Sequence, residues 1–592
     1  MYAPQNLLTE WSRLTIGALA AAGIEHLVVS PGSRNGPLTL AAALHPNLVL
    51  HSVIDERSAG FFALGLARVT GKPAALLCTS GSALAHYLPA LIEAHHAELP
   101  LVVLSADRPQ ELQHTSAPQT IHQSNLYGHY AKLFIDLGDA RADDDNLRAL
   151  ARKVAQAVHV ARSGAPGPVH LNVPLRKPLE PQDAVTPEQR SLCERVDRVL
   201  QNVVDLPPTK ATPSDAARTA LVRRLETEPL LLLSVGPLKS ELVQRLEHLA
   251  AAHDTYLFSE LPGAAVPVEG LARLLAKDAE LPAPKVVLHF GPPPLSAAWQ
   301  ARLKDLEVEL IIVAAGEFPD AGGHASSILQ ADVGEFLTRL EEDLAGLSPP
   351  AGRAAFTQRL TEAAAAIVER VVRETTFAGY RPPPSSPSGV PLLAEPAAVA
   401  QVLSALPPSV ELCLGNSLPV RLASWVGPTV RFEDVHVHTQ RGAAGIDGLI
   451  AGAAGTAVAA ARPTLLLLGD VSAAHDLSSL ALARQVQHPL CICVLDNDGG
   501  RIFDHLPLAA THGKKPEFRY WLTPPRIDWQ AAAKAYGVSY QSPTHLDGID
   551  RAVQSALSEK GCTLLVLRTD SESSRALLRA FGPAVRAEGG LN

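Results

Sequence analysis

The chain has 592 residues, of which 47% are hydrophobic and 19% are charged, values typical of a folded globular protein. This length exceeds what one hydrophobic core supports, so we expect about three domains. The net charge of −9 and the scattered positions of the arginines argue against nucleic acid as a partner.

The N-terminal segment has no basic stretch followed by an apolar one, and no apolar run reaches about 18 residues. We therefore expect neither a signal peptide nor a membrane span. The six cysteines form no C-x-x-C pair, and several lie in apolar strand-like runs. Buried free thiols are the simplest interpretation, which favours a reducing cytoplasm.

Residues 1–181 alternate between strand-like and helical runs, which favours a parallel sheet covered by helices. Helices are predicted at Asn6–Ala22 and Ser58–Val69. The predicted strands are His26–Ser30, Ala74–Thr79, Leu101–Ser105 and Val169–Val173. A Pro-rich run, 174–181, ends this first domain.

The same alternation continues over 182–378, with strands near Leu230–Val235, Val286–Phe290 and Leu310–Ala314. The segment 379–391 is rich in Pro, Ser and Gly and is predicted to be an exposed linker. The α/β alternation resumes over 392–592. The predicted fold class is therefore α/β, with three doubly wound parallel-sheet domains in series.

Two predicted strands of the last domain end in oxygen-bearing side chains. Asp470 follows the apolar run Leu465–Leu468, and Asn497 follows Ile492–Leu495. Ligands bind open α/β sheets at the carboxyl ends of their strands, and Mg²⁺ prefers oxygen ligands and substrate phosphates. Asp470, Asn497 and the carbonyl of Gly499 are thus candidate ligands of a cation that carries a diphosphate. The alternative is a pair of ordinary turns.

Turns of the first domain also carry candidate binding groups. Ser33 and Arg34 lie between a strand and a helix, where N–H groups and a guanidinium favour a carboxylate. Arg108 follows the strand Leu101–Ser105 and is a second candidate. Ser80 and Gly81 form a small-residue turn that allows a ligand or a neighbouring subunit to approach closely. Plain strand-to-helix turns are the alternative.

Glu56 lies between an apolar strand and an apolar helix. An acidic residue there is often only a helix cap. The functional interpretation is a carboxylate that shares a proton with a cofactor nitrogen. In the last domain, Arg421 and Arg441 are candidate carboxylate partners, and the Gly-rich stretch that includes Gly442 could approach a diphosphate.

Eight motifs together resemble the thiamine-diphosphate-dependent 2-succinyl-5-enolpyruvyl-6-hydroxy-3-cyclohexene-1-carboxylate synthase (MenD) family of menaquinone biosynthesis. In chain order they are PGSRNGPL, DERSAGFFALGLA, TSGSALAHYLPALIEA, SADRPQEL, GNSLPVR, QRGAAGIDG, GDVSAAHDL and DNDGGRIF. The resemblance implies the thiamine-diphosphate-enzyme fold. The first domain would then bind the pyrimidine of the cofactor, and the last its diphosphate and Mg²⁺ or Mn²⁺.

The resemblance also implies roles for individual residues. Glu56 would hydrogen-bond N1′ of the aminopyrimidine, and Ile502 and Phe503 would pack on the cofactor. Leu506 would lie near the substrate. The carboxylate that 2-oxoglutarate contributes would contact Ser417, Arg421 and Arg441, whereas isochorismate would contact Ser33, Arg34, Arg108 and Gln119.

The implied reaction is decarboxylation of 2-oxoglutarate and 1,4-addition of the succinyl-semialdehyde carbanion to isochorismate. A homodimer or homotetramer is implied, with the active site at a subunit interface. Another thiamine-diphosphate 2-oxoacid decarboxylase or carboligase, or a non-catalytic homologue that binds the cofactor, is the alternative.

Two stretches depart from the family pattern. Asp496 and Asp498 flank Asn497 where the family commonly has asparagines, so two extra carboxylates either strengthen metal binding or point away. Ala297 stands where the family often has a lysine, which puts the central domain's share of substrate binding in doubt. The nearest basic residue after it is Arg302.

Overall fold

The computed structural model describes residues 4–260, 283–295, 297–379, 392–430 and 434–581. This part of the chain forms sheets of six, five and six strands, and the paired strands are parallel. The predicted linker 379–391 lies outside the described residues except for Gly379. Among the helices described, none is both long enough and apolar enough to cross a membrane.

The first sheet has the strand order β2-β1-β3-β4-β6-β5. Its strands are β1 (His26–Val29), β2 (Val49–Ser52), β3 (Ala74–Cys78), β4 (Leu101–Asp107), β5 (Phe134–Asp136) and β6 (Val169–Pro174). The helices around it are α1 (Leu7–Ala21), α2 (Gly36–Ala43), α3 (Glu56–Thr70), α4 (Leu88–His96), α5 (Asp144–Arg162) and α6 (Pro187–Leu200). Short 3₁₀ helices span Ala83–Tyr87, Gln110–Leu112 and Gly128–Tyr130. The strands and helices predicted for this part are confirmed to within two residues at each end.

Helix α5 shows why these segments fold as they do. Asp143 caps the helix by accepting a hydrogen bond from the N–H of Asn146. Leu147, Leu150 and Val154 recur at helical spacing and are buried in the core against the sheet. The apolar stripe thus fixes which face of the helix covers the strands.

The chain divides into two compact units, one drawn from 1–209 and 441–460, the other from 210–440 and 461–592. In the first unit, α14 (Leu449–Ala460) packs directly against α3. A Cβ added to Gly65 would lie 2.2 Å from the carbonyl oxygen of Gly452, and one added to Gly455 would lie 2.1 Å from that of Phe62. The two helix backbones therefore touch, which requires glycine at these positions.

The central sheet of the second unit has the order β11-β10-β9-β7-β8. Its strands are β7 (Leu231–Val235), β8 (Tyr256–Ser259), β9 (Val286–Phe290), β10 (Glu309–Ala314) and β11 (Ala325–Gln330). Its helices are α7 (Asp215–Thr227), α8 (Ser240–Ala252), α9 (Ala297–Asp305), α10 (Val333–Leu344) and α11 (Arg353–Gly379). The three strands predicted here are confirmed.

The last sheet has the order β13-β12-β14-β15-β17-β16, which repeats the connectivity of the first sheet. Its strands are β12 (Val410–Leu414), β13 (Val435–Thr439), β14 (Thr464–Gly469), β15 (Pro489–Asp496), β16 (Ser539–Gln541) and β17 (Gly561–Arg568). The helices are α12 (Glu395–Ser404), α13 (Leu418–Val426), α15 (Asp470–His475), α16 (Leu480–Ala483), α17 (Pro507–His512), α18 (Arg519–Leu522), α19 (Trp529–Tyr536), α20 (Leu546–Ser558) and α21 (Ser571–Ala580), with 3₁₀ turns at Gly427–Thr429, Leu477–Ser479, Arg501–His505 and Pro516–Phe518.

The strand order reverses between β1 and β3 in the first sheet and between β12 and β14 in the last. In open α/β sheets, ligands bind in the crevice outside the carboxyl ends of the strands at such a switch point. Four of the predicted motifs, those that begin at Pro31, Thr79, Gly415 and Gly469, stand at the ends of these strands, so the topology places these four at two switch points.

Candidate active site

Asp470 is the first residue of α15, directly after β14, and its side chain is buried. Its Oδ1 accepts a hydrogen bond from the N–H of Val471 at 2.8 Å, and its Oδ2 accepts one from the N–H of Gly499 at 2.7 Å. The two predicted strand-end motifs therefore meet, because β14 and β15 are neighbours in the sheet. Each carboxylate oxygen retains a second lone pair for a further ligand.

Asn497 follows β15 and is 6% exposed. Its Nδ2 donates to Oε1 of Glu395 at 2.8 Å, whereas its buried Oδ1 has no hydrogen-bond partner. A buried polar atom without a partner requires an explanation such as an ion or a water. An amide oxygen beside the Asp470 carboxylate is a donor set that suits a small hard cation.

The third predicted ligand, the carbonyl of Gly499, lies in a tight loop. Gly499 has φ +114°, and a Cβ there would lie 2.2 Å from the carbonyl oxygen of Leu522. The N–H of Arg501 donates to the Gly499 carbonyl at 2.8 Å, and one lone pair of that oxygen remains. Only glycine fits position 499 without strain.

Negative charge is concentrated around this loop. Burial raises the pKa of Asp470 to about 6, hydrogen bonding from Gly499 opposes the rise, and the nearby Asp496 adds to it. Burial likewise raises the pKa of Glu395 to about 7, against the hydrogen bond from Asn497. A bound cation offsets both the free-energy cost of burying these carboxylates and the repulsion between them. The residues present therefore fit a divalent cation and, through it, a diphosphate.

The two additional carboxylates of this loop are engaged elsewhere. Oδ2 of Asp496 accepts a hydrogen bond from Nε1 of Trp529 at 3.1 Å. Asp498 has φ +62°, is exposed, and lies 3.8 Å from the guanidinium of Arg501. Their replacement of asparagines thus leaves the predicted ligands unchanged.

The residues predicted to pack on the cofactor come directly after this loop in the sequence. Ile502 and Phe503 are half-buried in the 3₁₀ turn Arg501–His505, and Ile502 packs against the main apolar core of the second unit. Leu506 is half-buried between this turn and α17. The structure thus joins an apolar surface to the loop of candidate metal ligands.

The turn after β12 is strained. Ser417 has φ +72°, unusual for a residue with a side chain, and precedes α13. Its carbonyl accepts a hydrogen bond from Arg421 at 2.8 Å. Nδ2 of the buried Asn416 donates to the carbonyl of Gln440 at 2.8 Å, which ties this turn to the end of β13.

Glu56 is the first residue of α3 and is half-buried. The side chain of Asp55 caps the helix by accepting from the N–H of Arg57 at 2.9 Å. Because Asp55 caps α3, the structure separates the capping role from Glu56.

The small-residue turn after β3 is buried. Oγ of Ser80 has no hydrogen-bond partner, and Gly81 has φ +94°. The N–H of Gly81 donates to Oε1 of the buried Gln123 at 3.1 Å. Gln119 is exposed with φ +56°, and its Cα would lie 3.3 Å from a Cβ on Gly81. The structure thus brings Ser80, Gly81 and Gln119 together.

Two guanidinium groups interact at the same edge of the first sheet. Arg34 is 2% exposed and donates to the carbonyl of Leu175 at 2.5 Å, while its buried Nε has no partner. Burial lowers the pKa of Arg34, and the nearby charge of Arg108 lowers it further. Arg108 donates to Oε1 of Gln119 at 3.3 Å, and Ser33 is exposed. Two close cations with spare donors favour an anion.

The loop that carries Arg441 differs from the expectation in one respect. The N–H of Gly442, predicted to approach a diphosphate, donates to Oε1 of Glu93 at 2.9 Å, and that of Ala443 donates to Oε2 at 2.7 Å. Glu93 lies on α4 and is 2% exposed. A buried carboxylate competes for these N–H groups because it needs hydrogen bonds of its own.

Four further residues of the site could not be predicted from the sequence, since local patterns do not show which distant side chain will form a hydrogen bond with a loop: Glu93, Gln123, Glu395 and Asn416. The side chain of Ala297 lies outside the described residues. Arg302 lies on α9, 3.6 Å from Asp305.

Comparison with known proteins agrees with this geometry. Residues 10–126 match the family model of the thiamine pyrophosphate enzyme N-terminal TPP binding domain, and residues 422–567 match that of the C-terminal TPP binding domain.

Three curated relatives carry the name 2-succinyl-5-enolpyruvyl-6-hydroxy-3-cyclohexene-1-carboxylate synthase. That of Sorangium cellulosum is 36% identical over 95% of this chain and 92% of its own length. That of Roseiflexus castenholzii is 35% identical over 99% of both chains. That of Bacillus pumilus is 33% identical over 96% of both. The chain therefore belongs to the thiamine-diphosphate-dependent 2-succinyl-5-enolpyruvyl-6-hydroxy-3-cyclohexene-1-carboxylate synthase family.

Proposed function

We propose that this chain decarboxylates 2-oxoglutarate and adds the resulting four-carbon unit to isochorismate in menaquinone biosynthesis, using thiamine diphosphate and Mg²⁺ or Mn²⁺. The observation that carries this proposal is the buried loop in which Asp470, Asn497 and Gly499 converge, with the amide oxygen of Asn497 left without a partner. Membership of the family supports the choice of reaction.

Two groups of residues would bind the cofactor. Asp470, Asn497 and Gly499 would hold the cation that neutralises the diphosphate, and Ile502 and Phe503 would pack on the cofactor. Ser80 and Gly81 allow a close approach, and Gly442 keeps its loop in place through Glu93. Bound thiamine diphosphate supplies a nucleophilic carbon for attack on a 2-oxoacid.

Glu56 is the proposed catalytic carboxylate. It lies at the amino end of α3, where it would hold a proton against N1′ of the aminopyrimidine. Asp55, the adjacent carboxylate, is committed to the helix cap.

The substrates carry carboxylates, and arginines are suited to hold them in fixed orientations. Ser417, Arg421 and Arg441 would orient 2-oxoglutarate, with Leu506 beside it. Isochorismate would be bound by a second set, namely Ser33, Arg34, Arg108 and Gln119. The burial of Arg34 and its spare Nε support this assignment, since an unpartnered guanidinium N–H gains from a carboxylate.

The proposed domains are a pyrimidine-binding domain at 1–181, a central domain at 182–378, a linker at 379–391 and a diphosphate-binding domain at 392–592. Each of the three sheets draws its strands from one of these segments. The assembly would be a homodimer or homotetramer in the cytoplasm, with each active site formed by two subunits.

The test is an assay of the purified full-length protein with 2-oxoglutarate and isochorismate, with and without thiamine diphosphate and Mg²⁺. We expect CO₂ release and consumption of isochorismate that depend on both additions. Release of CO₂ without consumption of isochorismate would indicate another thiamine-diphosphate decarboxylase. Absence of CO₂ release from the fully loaded protein would indicate a non-catalytic homologue.

A further inference from the structure

Glu395 is a buried carboxylate to which the proposed function assigns no role. It is the first residue of α12 and is 3% exposed. Its Oε1 accepts a hydrogen bond from Nδ2 of Asn497 at 2.8 Å, although the two residues are 102 positions apart in the chain. Its backbone N–H donates to Oγ of Ser574 at 2.9 Å.

The sheet explains how this distant residue reaches the loop. Strand β15 pairs with β17, with Asp496 opposite Arg568. Leu393 then forms a parallel bridge to Thr569 at the end of β17, and its N–H donates to the carbonyl of Arg568 at 3.0 Å. The segment before α12 thus extends the sheet at its carboxyl edge and delivers Glu395 beside Asn497.

The chemistry of the contact determines which atom of the Asn497 amide faces the loop. Oε1 of Glu395 accepts the hydrogen bond from Nδ2 of Asn497, so the –NH₂ group of Asn497 faces Glu395. The opposite orientation would place Oδ1 against Oε1 and would lose this hydrogen bond. Oδ1 is therefore turned away from Glu395, and in this position it is buried and without a partner.

We propose that Glu395 is a positioning residue for the metal site, which fixes the amide of Asn497 with its oxygen toward the cation. This inference rests on the proposed function, because it assumes the cation. Loss of a partner that orients a metal ligand commonly lowers metal affinity by about 10- to 100-fold. A glutamine at 395 would both donate and accept, so it would no longer select one orientation of the amide.

The test measures binding directly. Full-length protein freed of metal is mixed with thiamine diphosphate and titrated with Mn²⁺, and free Mn²⁺ is read from its electron paramagnetic resonance signal. We expect Glu395→Gln to raise the Kd for Mn²⁺ at least about tenfold. Glu411→Gln is the matched control, since Glu411 is an equally buried carboxylate of β12 that bonds His436 and His438 instead.

An exchange of the carboxylate and the amide between positions 395 and 497 separates an effect on side-chain orientation from an effect on folding. In the double variant Glu395→Gln with Asn497→Asp, the amide at 395 donates to one carboxylate oxygen at 497 and leaves the other for the cation. We expect Asn497→Asp to raise the affinity for Mn²⁺ more in the Glu395→Gln background than in the wild-type background, a coupling that mere loss of packing would not produce.

The outcomes are distinct. Wild-type protein that binds no Mn²⁺ in the presence of thiamine diphosphate would overturn the metal site and the proposed function with it. Wild-type binding together with equal binding by Glu395→Gln would overturn the positioning role alone. If Glu395→Gln fails to fold, a double variant that folds and binds Mn²⁺ with near wild-type affinity supports the proposal, and one that folds but does not bind overturns it.

Discussion

The carboxylate of Glu93 accepts hydrogen bonds from two successive backbone N–H groups, those of Gly442 and Ala443. Helix α4 thereby holds the loop that begins with Arg441 and leads into α14. The contact is buried on the side of Glu93, so water does not readily replace it.

Removal of this contact should loosen the loop. Glu93→Ala leaves the N–H of Gly442 without its acceptor, at a cost on the order of 2 kcal/mol. We expect a lower thermal unfolding midpoint and a higher KM for 2-oxoglutarate, since Arg441 loses its fixed position. Glu93→Gln keeps one acceptor oxygen and should be intermediate in both measurements. An unchanged KM for Glu93→Ala would show that the loop is fixed by other contacts.

The catalytic assignment of Glu56 is tested by its amide. Glu56→Gln keeps the size of the side chain but cannot share a proton with N1′, so we expect a loss of kcat of roughly 100-fold or more. Thiamine diphosphate affinity by titration calorimetry should stay close to wild type. Asp55→Asn is the control, because it retains an oxygen for the helix cap and should keep most activity. A Glu56→Gln enzyme with near-normal turnover would remove Glu56 from the mechanism.

Structural features that depend on a local sequence pattern could be predicted from the sequence. The apolar runs before Asp470 and Asn497 identified β14 and β15, and parallel neighbours bring such ends together, as the bond between Asp470 and Gly499 confirms. Glu395 could not be predicted in this way, because its contact depends on how the segment before α12 joins the end of β17. Strand alternation does not encode that pairing.

The arginines show a second limit. Sequence alone suggested that Arg34 is either an exposed turn residue or an anion ligand. The structure buries it and bonds it to Leu175, a residue that follows β6. The burial of a charged side chain is determined by packing between distant elements, whereas a turn motif reports only the local backbone.

The backbone of Gly499 provides a test of the loop that does not remove a ligand. Gly499→Ala places a Cβ 2.2 Å from the carbonyl oxygen of Leu522 at φ +114°, so the loop must shift. Asp470 then loses the N–H of Gly499, and we expect Mn²⁺ affinity to fall about tenfold or more. Gly334→Ala, in helix α10 with its added Cβ at an ordinary 3.4 Å, should bind normally. Unchanged affinity in Gly499→Ala would contradict the role of this loop.

Acid should destabilise the first unit through His170. Its ring is 1% exposed beside Tyr127 and Phe134, and burial lowers its pKa to about 3. In the unfolded chain this histidine binds a proton below about pH 6.5, whereas in the folded chain it stays neutral. The free energy of unfolding therefore keeps its full value above that pH and decreases as the pH falls below it. The loss at pH 5 should be about 2 kcal/mol.

The measurement for His170 compares thermal unfolding midpoints at pH 7 and pH 5. His170→Gln should show a smaller decrease between the two values than wild type, because glutamine takes up no proton. His545→Gln, at an exposed histidine, should leave the decrease unchanged. Equal decreases for wild type and His170→Gln would mean that other groups account for the acid sensitivity.

The last prediction concerns the division of the arginines between the two substrates. Arg421 bonds the strained turn at Ser417, at the switch point that follows β12, and is assigned to 2-oxoglutarate. Arg108 follows β4 and contacts Gln119, and is assigned to isochorismate. Loss of a bidentate contact with a carboxylate should cost on the order of 2 kcal/mol, roughly thirtyfold in kcat/KM.

Arg421→Ala should therefore slow single-turnover release of CO₂ from 2-oxoglutarate even without isochorismate. Arg108→Ala should leave that release nearly unchanged and raise the KM for isochorismate. Because Arg34 carries a spare Nε at the same edge, the double variant with Arg34→Ala should raise this KM further. A loss of CO₂ release in Arg108→Ala would contradict the assignment, since Arg108 would then act in a step that precedes the binding of isochorismate.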